Sequence, residues 1–212
     1  MRLNSTTRHA KTKVTDITTG NITAGNDGIN VIHSGTGAAT INAGDVTSTG
    51  GRGIALIDDA ASFNPDATIG GVNVTVGSVN SLGNAIAVTA QVKQTPTVIT
   101  ANGPITATSG QGIVLSQSNT GAGAGDVTIT ANKAVTASST AINVSTSGLG
   151  DTTVQANDAV TGTGGYGVFV SKSGDGNAVI DTKGAVTART GISLATNGNG
   201  NGTIHASDVV NA

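Results

Sequence analysis

Gly44-Asp45-Val46-Thr47-Ser48-Thr49-Gly50-Gly51-Arg52-Gly53-Ile54-Ala55-Leu56 contains two short blocks that return along the whole chain. The first is a triplet with a central aliphatic. Its central residues are Ile22, Val46, Val79, Ile105, Val135, Val160, Val186 and Val210, at spacings of 24, 33, 26, 30, 25, 26 and 24 residues. A period of this size marks a repeat architecture, in which each unit is one supersecondary element. The second block follows six to eight residues later and opens on Ile29, Ile54, Ile86, Ile113, Ile142, Val168 and Ile192. Its first and third members are aliphatic in every copy. That alternation points both side chains the same way, into a core.

A third block is led by Ile41, Val74, Ile99, Ile129, Val154, Ile180 and Ile204. It lies 12, 20, 13, 16, 12, 12 and 12 residues after the second, and five or six before the next triplet. Ile17 stands five before Ile22 and fits the third block of a preceding coil. The unit therefore has three short strands, two turns of nearly fixed length and one connection that accepts insertions. Coil stacked on coil, this predicts an all-β protein, a parallel β-helix of about seven coils of 24–33 residues. At ~4.8 Å per coil the rod would be roughly 34 Å long. Coil length favours the right-handed triangular form over the shorter left-handed hexapeptide form. The alternative, a β-sandwich or jelly roll, does not require the same residue type at the same place in every unit.

Composition agrees. The 212 residues include 32 Gly, two Phe, one Tyr, no Trp and no Cys. Val, Ile and Thr suit pleated strands, and Gly, Asn, Asp and Ser supply turns. All twelve acids are Asp, so a helical fold lacks one of its best formers. A net charge of −2 and scarce aromatics disfavour nucleic acid as a partner. Without Cys there is no disulfide framework and no thiolate zinc site. No apolar run reaches the ~20 residues of a membrane-spanning helix, so this segment inserts in no membrane that way.

Residues 1–13 form a basic N-terminal segment, expected to be irregular, with Arg2, Arg8, Lys11 and Lys13. It lacks the apolar region of a secretory signal. The β-helix is expected over 14–212, with insertions near 58–72 and 117–126. Neither end has a recognisable cap. Open coils expose strand edges that recruit other chains, so the chain is expected to be a segment of a longer solenoid or a subunit stacking end to end.

The stretches Gly44–Ile54 and Ala159-Val160-Thr161-Gly162-Thr163-Gly164-Gly165-Tyr166-Gly167-Val168 resemble the passenger regions of bacterial autotransporters and other large repeat-rich exoproteins. The likeness is one of repeat style over about residues 14–212. It implies a right-handed β-helix displayed outside a Gram-negative cell, as a stalk, adhesin or self-associating filament, with signal and anchor outside this chain. It carries no catalytic residues.

Candidate sites follow. The longest insertion, Asp58-Asp59-Ala60-Ala61-Ser62-Phe63-Asn64-Pro65-Asp66, concentrates acids and an aromatic in one loop, and loops on rigid scaffolds are where function concentrates. Asp58, Asp59, Phe63 and Asp66 are therefore candidate interaction residues, for a glycan or a protein on a host or neighbouring cell. Tyr166 and Phe169 are a second candidate, an aromatic patch on the second strand. Polysaccharide-acting enzymes also use β-helices, but glycoside cleavage needs facing carboxylates. Asp45, Asp126, Asp151, Asp158, Asp175 and Asp208 are expected instead to cap local turn amides. No catalytic residue, cofactor or metal is expected: His9, His33 and His205 share no ladder, and the Gly-Gly-x-Gly-x-Asp calcium repeat is absent. Outward pairs such as Thr47-x-Thr49, Thr106-x-Thr108 and Thr161-x-Thr163 suggest an ice-binding grid as a remote alternative. Thr23-x-Gly25, Asn80-x-Leu82 and Thr187-x-Arg189 break it.

Overall fold

The computed structural model describes residues 14–59, 70–92, 95–119 and 125–212. They form a parallel β-solenoid of about seven turns, with no helix among the described residues. One coil shows the plan: strand Val72–Val76, strand Val79–Ser81, then strand Ile86–Val92. The five-residue strands stack into one eight-stranded sheet. The other two ladders share a second sheet, because in two coils they merge. Val160–Ser173 and Val186–Asn197 each run unbroken through both positions. The turn of fixed length expected between them is there replaced by a bend, with a register shift between Gly162 and Tyr166.

All three aliphatic columns stack as expected. Ile22 pairs with Val46, Val46 with Val79, and so on to Val186 with Val210. Ile29, Ile54, Ile86, Ile113, Ile142, Val168 and Ile192 form the second column. Ile17 pairs with Ile41 at the foot of the third. Ile41, Val74, Ile99, Ile129, Val154 and Ile180 expose no surface. Burying each such side chain stabilises by about 1.5–3 kcal/mol, and every coil depends on its neighbours to do it. In the last coil, where no described coil lies beyond, Ile204 and Val210 are exposed.

Crowding between coils explains the glycine before the second block. A Cβ on Gly53 would lie 2.2 Å from Val79 Cγ1 and 2.5 Å from the Ala85 carbonyl oxygen. On Gly167 it would lie 2.3 Å from Val186 Cγ1. The glycine before the second block thus rests directly on the triplet aliphatic of the following coil.

Both insertions begin later than the sequence suggests. Asp58 is the last residue of strand Ile54–Asp58 and exposes no surface. The alternation that buries Ile54 and Leu56 continues to it, so it points inward rather than into a loop. Gln117 likewise belongs to strand Ile113–Asn119 and is buried.

Candidate functional site

The second-block strands do more than bury their first and third residues. Their fifth positions form an in-register ladder of His33, Asp58, Ala90, Gln117, Thr146, Lys172 and Thr196. The first five and Lys172 are at most 4% exposed. This polar interior corner was not anticipated. The signal was present in the spacing, since period-two alternation runs on past the two aliphatics. Several of its polar groups bond at the start of the variable connection, while the Gln117 side-chain oxygen is buried without a hydrogen-bond partner. His33 Nε2 donates to the Gly37 carbonyl at 2.9 Å, and Nδ1 pairs with the Thr15 hydroxyl at 2.8 Å. Gln117 Nε2 donates to the Gly125 carbonyl at 2.8 Å. The Thr146 and Thr152 hydroxyls pair at 2.9 Å. Lys172 Nζ donates to the carbonyl of Gly148, a residue held at φ 112°. Burial pushes the Lys172 ammonium below the ordinary lysine value, while Asp151 and Asp175 partly restore it. At five of the seven ladder positions, His33, Asp58, Gln117, Thr146 and Lys172, a polar side chain is thus buried where the variable connection begins.

Most of the turn acids bond between coils rather than within their own turn. Asp45 Oδ1 accepts from the backbone amide and hydroxyl of Ser78 at 2.8 and 2.9 Å, which holds its carboxyl below the usual range. Asp126 accepts from the Asp151 amide, Asp151 from the Asn177 amide, and Asp175 from the Asn199 amide. Only Asp158 and Asp208 of the six cap the next amide in their own turn. The coils stack in register, so an amide one coil away is as near as a local one. Thr49, Thr108 and Thr163 also donate to carbonyls of the preceding coil. They lie just beyond the triplet strands or at their bend, so the outward hydroxyl pairs do not make a regular strand grid.

Of the loop candidates, Phe63 and Asp66 lie outside the described residues. Asp59 is half-buried, and its Oδ1 accepts from the Ser34 hydroxyl at 2.7 Å. Asp58, inside the core, is not beside it on the surface. Among the described residues no group of three or more His, Cys, Asp or Glu is arranged to hold a metal ion.

The aromatic candidate is assembled. Tyr166 and Phe169 have ring centroids 4.9 Å apart, inclined at 41°, and both are partly exposed. Residues three apart on a regular strand face opposite sides. Tyr166 stands in the turn before the second block, where the equivalent Asp27 and Asn30 of the first coil also meet, Asn30 Nδ2 donating to Asp27 Oδ2 at 3.1 Å. Phe169 sits in the outward column Asn30, Ala55, Ala87, Val114, Asn143, Phe169, Ser193. That column is more sheltered than expected, with Ala55 only 1% exposed. Asn143 Nδ2 donates to Gln111 Oε1 at 2.8 Å. This amide pair beside the aromatics was also not anticipated.

No family model, curated protein or solved structure matches this chain.

At the same corner, nearer the N-terminal end, an open depression of about 630 Å³ is lined by Ala24, Gly25, Asn26, Asp27, Asn30 and Gly50–Gly51. Asp27 is committed there. Its Oδ2 accepts from Arg52 Nη2 at 2.8 Å and its Oδ1 from the Arg52 amide at 2.8 Å. The Arg52 guanidinium holds the Asp27 carboxyl below the ordinary carboxylate value, helped by Asn30. An acid so engaged is a poor general acid at neutral pH.

Proposed function

We propose that this chain is a non-catalytic, surface-displayed rod, part of a bacterial autotransporter-type passenger that extends outside the cell and self-associates. The observation that carries this reading is an uncharged sheet face. From strand Ala39–Ala43 to strand Thr152–Ala156, five consecutive coils of the eight-stranded sheet present only Thr, Asn, Gln and Val at their outward second and fourth positions. Such a face carries no like-charge barrier against lateral packing of a second rod. Its hydroxyl and amide groups repeat at the strand spacing of ~4.8 Å and so can pair in register with a copy of themselves. The turn acids support the structural role, since four of them are spent on joining coil to coil. End-to-end stacking is a second mode of the same self-association. No nucleic acid, cofactor or membrane insertion enters the proposal.

The test is display of the chain on a Gram-negative cell and measurement of cell–cell sedimentation. The rod reading expects aggregation that survives deletion of residues 60–69 and is suppressed by Thr100→Lys with Thr130→Lys, which place like charges on the face. Cells that stay dispersed, or aggregation indifferent to the two lysines, refute it. Loss of association on deleting 60–69 favours the glycan-binding loop instead.

A further inference from the structure

We infer that the Tyr166–Phe169 pair, with the Gln111–Asn143 amides beside it, is a binding platform for a neutral carbohydrate. Four observations converge. The only two Phe or Tyr side chains among the described residues stand together, at 4.9 Å, at the two positions where Asp27 and Asn30 meet in the first coil. Both rings remain partly exposed. The residue one coil before Phe169 is Asn143, whose amide is oriented by its bond to Gln111. That bond uses an Asn143 donor and the Gln111 acceptor. It leaves the Asn143 carbonyl oxygen and the Gln111 amide nitrogen as an acceptor and a donor for a ligand. The ladder neighbours are uncharged: Val114, Asn143 and Ser193.

This combination selects the ligand class. An aromatic pair offers an apolar surface on which the C–H face of a pyranose can lie, while fixed amides meet its hydroxyls. The absence of charge in the column gives nothing to a uronate or sulfate. The contacts the column itself offers are those of a neutral saccharide chain lying along the rod, while the exposed Arg189, next to the Thr190 that pairs with Tyr166, is why an anionic control belongs in the test. The platform lies on the second sheet and not on the outward face of the eight-stranded sheet, so sugar binding and rod association are separable.

The chain carries its own reporter. Tyr166 is its one tyrosine and it has no tryptophan, so its ultraviolet emission arises at this site. The experiment titrates the intact protein with soluble dextran, mannan, xyloglucan and chito-oligosaccharide, with alginate as the anionic control, and follows tyrosine emission. The expected result is a saturable change with at least one neutral polymer and none with alginate. Phe169→Asn copies the residue already present at Asn143 and should weaken that binding at least roughly tenfold without altering circular dichroism. Phe169→Tyr should retain it. The inference is overturned if no neutral polymer responds, if alginate responds equally, or if Phe169→Asn binds as well as the parent. It is also overturned if Phe169→Asn abolishes a concentration-dependent dimer instead of sugar binding. Sedimentation of displaying cells, measured in parallel, reads the rod proposal alone.

Discussion

Ile113→Ala is the perturbation that bears hardest on the packing. Ile113 exposes no surface and is stacked between Ile86 and Ile142, themselves fully buried. Three carbons are lost, about 2.4 kcal/mol of transfer free energy at ~0.8 kcal/mol per carbon. Strands fixed above and below cannot close over the gap. An unrelaxed cavity adds about 1–2 kcal/mol. The expected loss is therefore about 3–4 kcal/mol. Ile113→Val removes one carbon and should cost about 1 kcal/mol. Ser116, exposed on the same strand, can be changed to Ala within about 0.5 kcal/mol. Urea unfolding followed by far-ultraviolet circular dichroism gives all three values on one scale. A central coil couples to both neighbours, so the damage should broaden the transition as well as shift it. If Ile113→Ala unfolds within about 0.5 kcal/mol of the parent, the stacked dry interior is wrong.

Gly53→Ala should destabilise by about 1–3 kcal/mol, because the new methyl meets Val79 and the Ala85 carbonyl at distances that force the next coil to move; a melting temperature equal to the parent's would show that the coils are looser than described. Lys172→Met tests the polar corner through its pH dependence. In the folded chain the lysine value is lowered from 10.5, so just below 10.5 the unfolded chain binds more protons than the folded one. Stability should therefore rise with pH through that window in the parent and stay level in the variant; parallel urea–pH profiles for the two would contradict the burial of the ammonium. Asp27 shifts stability in the same direction at acid pH: its value is lowered from 3.8 by Arg52, so its contribution is present above 3.8 and lost as acid protonates it. Arg52→Ala should remove that acid sensitivity and cost at most about 1 kcal/mol, less in high salt, since the pair is partly exposed; a larger, salt-independent loss measured by urea unfolding would mean that Arg52 does more than pair with Asp27.

The three aliphatic columns could be read in advance because each occupies a fixed place in the unit and nothing but burial selects for Ile or Val there. The extent of the strands was harder to see. Asp58 and Gln117 look like loop residues by type, yet the alternation that buries Ile54 and Ile113 carries on through them. Residue identity misled where period did not. Turn acids were misassigned for a related reason. Asp151 next to Gly150 fits a local cap, and only stacking reveals that the Asn177 amide, 26 residues on, is at 2.8 Å. The Tyr166–Phe169 pair was visible as proximity in sequence. Its geometry was not, because only the turn before the second block, where Asp27 and Asn30 also meet, lets residues three apart converge. The merging of triplet and second block over Val160–Ser173 and Val186–Asn197 is encoded in no repeat spacing.

The stacking of successive windings can be measured directly with paired spin labels. The chain has no cysteine, so two can be introduced cleanly. Ile57, Thr89, Ser116, Ser145, Ser171 and Ala195 form one in-register outward ladder. Labels at Thr89 and Ala195 are four steps apart, and at Ile57 and Ala195 five steps, so the backbone separations should be about 19 Å and about 24 Å. Shorter pairs on the ladder should fall on the same line. Distances that follow sequence separation instead of ladder steps, or that fail to increase along the ladder, would contradict the account.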